Sequence, residues 1–169
     1  MPLIIIVSMA YRDTASFGKR QEYTAIAEML KRGFDVYMTL VDDQGIDCVI
    51  RRECNGNPDY LDIQIKARSK ECKPNDAARF AAMNIPNPRS NLWFIFYSEQ
   101  LDKYWIINSM ELTSKGKANQ NKSGKNAGKW HINLAGYSKS GVVTASKRFS
   151  KYEDEAGFKQ LECVNVPHD

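Results

Sequence analysis

The chain has 169 residues, 43% of them hydrophobic and 26% charged, with 24 lysines and arginines against 20 acids for a net charge of +4. That size argues for one domain over residues 1–169 with an ordinary core, burying roughly 70% of its unfolded surface, and against a second full domain. The small positive excess allows a polyanionic partner without requiring one, and two histidines, His131 and His168, leave almost no material for histidine-dyad, histidine-brace or Ser-His-Asp chemistry. Catalysis, if any, has to rest on carboxylates and lysines.

Leu3 to Val7 is apolar but too short to span a bilayer, with neither a basic lead nor a small-residue cleavage site, and reads as a first strand or anchoring segment. From Phe17 to Arg32, Tyr23, Ile26, Ala27 and Leu30 recur at helical spacing, and Gly33 offers a stop. Phe34 to Val41 and Ile46 to Arg52 then read as strands around the turn residues Asp42 to Gly45, with Cys48 buried in the second. After Asn55-Gly56-Asn57-Pro58, Tyr60 to Ala67 alternates strictly, with Leu61, Ile63 and Ile65 on one face and Asp62, Gln64 and Lys66 on the other. Pro74 to Met83 is a modest helix candidate, Leu92 to Tyr97 and Tyr104 to Ile107 are short strands, and Tyr152 to Leu161 is a final helix. Between them Ser114 to Lys129 holds five lysines, three glycines, three asparagines and no acid, the composition of a mobile loop. Cys48, Cys54, Cys72 and Cys163 show no C-x-x-C spacing and read as reduced thiols of a cytoplasmic protein.

A polar face on a central strand calls for explanation. If Asn55-Gly56 forms a two-residue turn, Asp47 stands opposite Gln64; if the loop is Asn55 to Pro58, Asp47 stands opposite Lys66. Either even loop puts the three on one face. The longer loop is favoured because Pro58 cannot donate to a ladder running through it. Glu22 lies on the helix stripe that continues through Ile26 and Leu30, so it faces the sheet, where a lysine or a divalent cation would satisfy it. Glu22, Asp47, the Gln64 side-chain oxygen and the Ile65 carbonyl form a set of hard oxygen donors suited to Mg²⁺, with Lys66 as a fixed positive charge beside them. Such a set suits phosphodiester hydrolysis.

At Gly18-x-x-x-Glu22, Gly45-Ile46-Asp47 and Gln64-Ile65-Lys66 the sequence resembles the PD-(D/E)XK, or restriction-endonuclease-like, nuclease superfamily, over roughly residues 17 to 67. The glycine-to-glutamate helix start looks like archaeal Holliday-junction resolvases, and glutamine in the second acidic position looks like Mrr-type nucleases. The resemblance implies an α/β fold with a mixed central sheet flanked by helices. It also implies Asp47 as the central metal ligand, Gln64 in the second acidic position, Lys66 as the catalytic lysine and Glu22 as the helix carboxylate. The implied cofactor is Mg²⁺, with Mn²⁺ as a substitute, and the implied substrate is DNA in preference to RNA. Ile46 stands where the family pattern has proline, and the literal Pro58-Asp59 is a decoy inside a turn.

Lys115, Lys117, Lys122, Lys125 and Lys129 of the basic loop, with Lys19 on the helix, are the candidate nucleic-acid contacts. Five lysines on duplex phosphates would give a log-log salt slope up to about −4.5. Trp93, Trp105 and Trp130 read as core, and Asp62 as solvated strand entry. No membrane association is expected, and cutting both strands of a duplex invites a homodimer. The rival reading is a non-catalytic nucleic-acid-binding or regulatory module that kept the fold after a Glu-to-Gln change.

Overall fold

The computed structural model describes residues 3–41, 44–121, 123–137, 143–144 and 146–163, with the backbone alone for 3–13. It opens on a long helix, α1 (Leu3–Lys31). The helical periodicity expected from Phe17 therefore extends back through Leu3 to Val7, which form helix and not a strand. No proline or glycine interrupts Leu3 to Phe17, so helix propagates through β-branched residues that have no strand to pair with. Gly18 accordingly sits inside α1 and does not start it. The helix ends as expected at Gly33, whose φ is +82°. Gly33 N–H bonds to Leu30 O at 3.0 Å and Phe34 N–H to Met29 O at 3.2 Å, the paired bonds of a Schellman cap.

The strands β1 (Asp35–Met38), β2 (Cys48–Cys54), β3 (Asn57–Arg68), β5 (Leu92–Ser98) and β6 (Lys103–Asn108) form one sheet in the order β1-β2-β3-β5-β6. Only β3 and β5 run parallel. This mixed central sheet flanked by helices is the α/β architecture that the sequence predicts. On one face Ala25, Ile26 and Met29 of α1 pack on Cys48, Ile50, Leu61, Ile63 and Ile65, with Phe158 of α3 (Asp154–Phe158). On the other, Phe94, Phe96 and Ile107 are covered by Phe80, Met83, Ile132 and by Leu112 of α2 (Ser109–Lys115). No described helix is long and apolar enough to cross a membrane.

Further expectations are corrected. First, the β2–β3 turn is the two-residue Asn55-Gly56, since Cys54 pairs with Asn57; its φ values of 52° and 76° are both positive, as a type I′ hairpin turn requires. The pair that closes such a turn is hydrogen-bonded, so Pro58, next along and opposite Glu53, points its nitrogen away from β2. No strand is there, because β5 begins to pair only at Asp62. Asp59 is a strand residue, bound to Arg52 at 2.7 Å, and not a turn residue.

Second, Pro74 to Met83 is not a helix: a single 3₁₀ turn, Pro74–Asp76, leads into the strand β4 (Arg79–Met83). Phe80 and Met83 are buried there against Phe96 and Ile132, and that packing outweighs a weak local helix preference. Third, the segment read as a loop from Ser114 begins in regular structure, since Ser114 and Lys115 end α2 and Lys117–Ala118 form a strand. After α2, β7 (Lys117–Ala118) pairs with β8 (Trp130–Asn133), which pairs with β4. Fourth, Cys54 and Cys163 form a disulfide with Cα atoms 5.5 Å apart, while Cys48 and Cys72 are free. The 3₁₀ turn Lys159–Leu161 brings the second cysteine back to the hairpin, and Arg52 binds the Leu161 carbonyl at 2.8 Å. The final helix is likewise shorter than Tyr152 to Leu161, being α3 between two 3₁₀ turns.

Candidate active site

The β2–β3 ladder runs in register from the turn to the pair Cys48–Ile63 and then opens. Asp47 donates its N–H to Ile63 O at 2.8 Å, one residue short of the Gln64 it would face in register, so β2 leaves β3 at this point. The Asp47 carboxylate takes the place of a main-chain acceptor, receiving the Ile65 N–H at 2.6 Å. In a strand a residue's N–H and C=O leave the same edge, so the Ile65 carbonyl also emerges on the side that carries Asp47. Thr39 Oγ1 donates to the Ile46 carbonyl at 2.9 Å, which ties the diverging chain to the end of β1.

Glu22 reaches this opening from α1. Lys19, one helical turn before it, is bound to Glu22, and both Glu22 and Asp47 act on its charge: the hydrogen bond to Glu22 is the main cause that holds the ammonium above its ordinary value, against some burial, and the two carboxylate charges add to it. Cys48 records the same field from inside. Its thiol is pushed up to about 12, by burial first and then by the negative charges of Asp47 and Glu22. Lys19 is therefore part of the carboxylate site, where the sequence placed it among free phosphate contacts.

Gln64 and Lys66 line a cleft of about 520 Å³ between β3, the bulged end of β4 and the loop before β5. The Gln64 amide lies against Gly45, where an added Cβ would meet its nitrogen at 2.7 Å. Gly45 has φ +68°, so a glycine is required twice, for backbone and for contact. Lys66 is half-buried, and no hydrogen bond or ion pair joins it to another described residue.

A residue that sequence reasoning missed completes the cleft. Arg89 lines it and is held by Asp62 at 2.7 Å, so Asp62 is an ion-pair partner and not merely solvated. Arg89 is also fixed from behind: its N–H donates to Ser109 Oγ at 2.8 Å, and Ser109 Oγ returns a bond to its carbonyl at 2.7 Å. The available signal was Asp62 itself, a carboxylate on the polar face with no cation beside it in the sequence.

The donor set can be tested for a metal. Two carboxylates act on one ammonium, and an amide side chain and a strand carbonyl belong to the same sheet opening. These are hard oxygen donors with two negative charges, which fits a Mg²⁺ ion that keeps several waters. No cluster of three or more His, Cys, Asp or Glu side chains able to hold a metal is found among the described residues.

The remaining candidates are dispersed. Lys115 ends α2 with its ammonium 5.9 Å from the Tyr152 ring centre, Lys117 and Lys125 are exposed, Lys129 lines a second cleft with His131, and Lys122 lies outside the described residues. Trp105 is buried with its ring nitrogen donating to Glu153 at 3.3 Å, and Trp93 and Trp130 pack against the core as expected.

No family model and no curated protein matches the chain. Among solved structures it is similar to I-Ssp6803I, a bacterial homing endonuclease, with 23% identity and a TM-score of 0.49 over 80% of this chain and 85% of that one. It is also similar to D212, a nuclease from a fusselovirus, with 14% identity and a TM-score of 0.42 over 86% of this chain and 91% of that one.

Proposed function

We propose that the chain is a Mg²⁺-dependent endonuclease that hydrolyses phosphodiester bonds, with DNA as its substrate and Mn²⁺ as an alternative ion. The observation that carries this reading is the opening of the β2–β3 ladder at Asp47. There a strand end is given up to a carboxylate, the charge of Glu22 acts on the same region, and a cleft over the polar face of β3 is lined by Lys66 and by Arg89 of the loop before β5. Asp47, Glu22, the Gln64 side-chain oxygen and the Ile65 carbonyl would hold the ion. When bound, it supplies Lewis acidity toward a phosphoryl oxygen and a more acidic water. Asp47 is kept in one orientation by the Ile65 N–H. Lys66, with no ion-pair partner among the described residues, offers its ammonium to charge developing on the phosphoryl oxygens, and Arg89, fixed by Asp62 and Ser109, binds a neighbouring phosphate. Lys19, bound to Glu22, balances the charge of the two carboxylates.

The test is cleavage of a panel of labelled DNA and RNA substrates in Mg²⁺, Mn²⁺ or EDTA, with Asp47→Ala and Lys66→Ala as controls. Products are expected with DNA and either ion, none in EDTA, and losses of about 10² to 10³ in rate or more in each variant. Undiminished cleavage by Lys66→Ala would sink the assignment of that lysine. One observation favours the second reading, a non-catalytic nucleic-acid-binding module: Glu22 already has a cation in Lys19, and Gln64 brings no charge. That reading predicts salt-sensitive binding without products in either ion.

A further inference from the structure

Ala82 lines two clefts, the one holding Gln64 and Lys66 and a second of about 420 Å³ against the small β4-β8-β7 sheet. Between the pairs Phe80–Ile132 and Met83–Trp130, β4 has one residue more than β8. Ala82 takes φ +60° within that bulge, and both Ala81 and Ala82 come out exposed. With Ala118 they floor the second cleft in methyl groups. Arg79, Lys129 and His131 supply its basic groups and Asn119, Gln120 and Asn126 its amides, and among the described residues neither cleft is lined by an aspartate or glutamate.

The ribbon that carries these groups is fixed by its own hydrogen bonds. Asn119 N–H bonds to Lys129 O at 2.8 Å and Gly128 N–H to Asn119 O at 3.0 Å, continuing the β7–β8 pairing toward its tip. The Asn119 side chain accepts the Asn121 N–H at 3.0 Å, which stiffens the turn beside Gln120. Lysines alone would give sequence-blind attraction to phosphates, whereas a carboxamide offers a donor and an acceptor side by side, the pair that matches adenine in the major groove. A two-stranded ribbon fits that groove, and methyl groups such as those of Ala81 and Ala118 suit the thymine methyl.

We propose that this second cleft is a base-reading site for duplex DNA, in which Gln120 and Asn126 read A·T pairs while Lys129 and Arg79 hold the flanking phosphates. It rests on the nucleic-acid reading above and adds to it where specificity resides. A duplex crossing Ala82 would carry its backbone from the reading site into the cleft of Lys66 and Arg89.

The test is selection of 20-base-pair duplexes with randomised centres by the full chain, in Ca²⁺ without Mg²⁺, so that binding is read without cleavage. The expected result is a shared motif containing A·T pairs. The double variant Gln120→Ala, Asn126→Ala should lose about tenfold or more in discrimination at those pairs while keeping its affinity for the random pool. Asn126→Asp, which keeps the shape and loses the donor, is the second variant and should shift the same position. Lys129→Ala should flatten the log-log salt slope by about 0.9 without changing the motif. An unchanged motif in the double variant, no motif at all, or preference for single strands or RNA would each overturn the proposal. Asp47→Ala serves as the separating control: a motif retained there, with no cleavage by any form of the protein, leaves the reading site standing and removes the nuclease reading alone.

Discussion

The two ends of the β2–β3 hairpin are built on opposite principles. At the turn, Asn55-Gly56 takes the backbone that the strand twist favours, Arg52 pairs with Asp59, and the Cys54–Cys163 disulfide fastens the C-terminal segment beside them. At the other end the ladder is given up one pair early, and Asp47, Glu22, Lys19 and Gln64 are gathered around the gap. Bringing two carboxylates together is costly, because like charges oppose each other and burial opposes both. A hairpin tied firmly at one end can tolerate an unfavourable arrangement at the other, since the strand positions no longer depend on the pairs that were lost.

The largest expected effect lies at the open end. Asp47→Ala removes the group that caps the Ile65 N–H as well as a carboxylate of the site, so cleavage should drop by at least the 10²- to 10³-fold typical of a lost electrostatic group. The Ile65 N–H loses its acceptor while repulsion between carboxylates is relieved, so the two effects oppose each other and the melting temperature should change little; a large fall would mean that the carboxylate is chiefly structural. The closed end should behave in reverse. Replacing Cys54 and Cys163 by serine, or reducing them, opens a link across 109 residues and should cost about 2–4 kcal/mol in denaturant unfolding. Cleavage below the transition should stay near that of the unmodified chain. If cleavage disappeared with the disulfide while the fold persisted, the two ends would not be independent.

A matched pair of glycines sharpens the contrast. Gly45 and Gly56 both have positive φ, +68° and +76°, so alanine at either should cost about 1–2 kcal/mol from backbone strain. Nothing lies within 4 Å of a Cβ added at Gly56, whereas one added at Gly45 would meet the Gln64 amide. Both variants should therefore lose stability alike, and only Gly45→Ala should also lose cleavage. Restoring room with Gly45→Ala, Gln64→Ala and finding cleavage still lower would point to Gln64 itself as a required donor.

The contrast was half legible in the sequence. Alternation over Tyr60 to Ala67 and the helix stripe through Ile26 follow from local periodicity, and they place Glu22, Gln64 and Lys66 correctly on their elements. The two-residue turn is not legible from Pro58, which disfavours it only where a partner strand covers both its edges, and where β5 starts is not a local property. The disulfide joins residues far apart in the chain with no motif between them, and β4 is a strand only because β8 and the Phe94–Phe96 face receive it. Ser114 to Lys129 reads as loop by composition, yet Ala118, Trp130 and His131 pair across it. Arg89 had no pattern of its own, and Asp62 was its one trace.

Gly18 gives the smallest effect and a direct test of the helix. The family resemblance set it at the start of the helix, where a glycine is tolerated at the cap. In the structure it lies inside α1, with ordinary φ and nothing within 4 Å of an added Cβ. Glycine in a helix interior is less favourable than alanine by about 0.8–1.0 kcal/mol, so Gly18→Ala should raise stability by up to that amount if α1 runs unbroken from Leu3. A helix beginning near Phe17 would gain a few tenths at most or lose its cap. Helicity by circular dichroism separates the cases, because only the continuous helix gains order on both sides of residue 18. Gly18 stands one residue before Lys19 and four before Glu22, so cleavage should also be followed. A stabilised variant with full cleavage would show that this position serves the helix alone, whereas a stabilised variant with weakened cleavage would show that the bare backbone of Gly18 is approached by substrate.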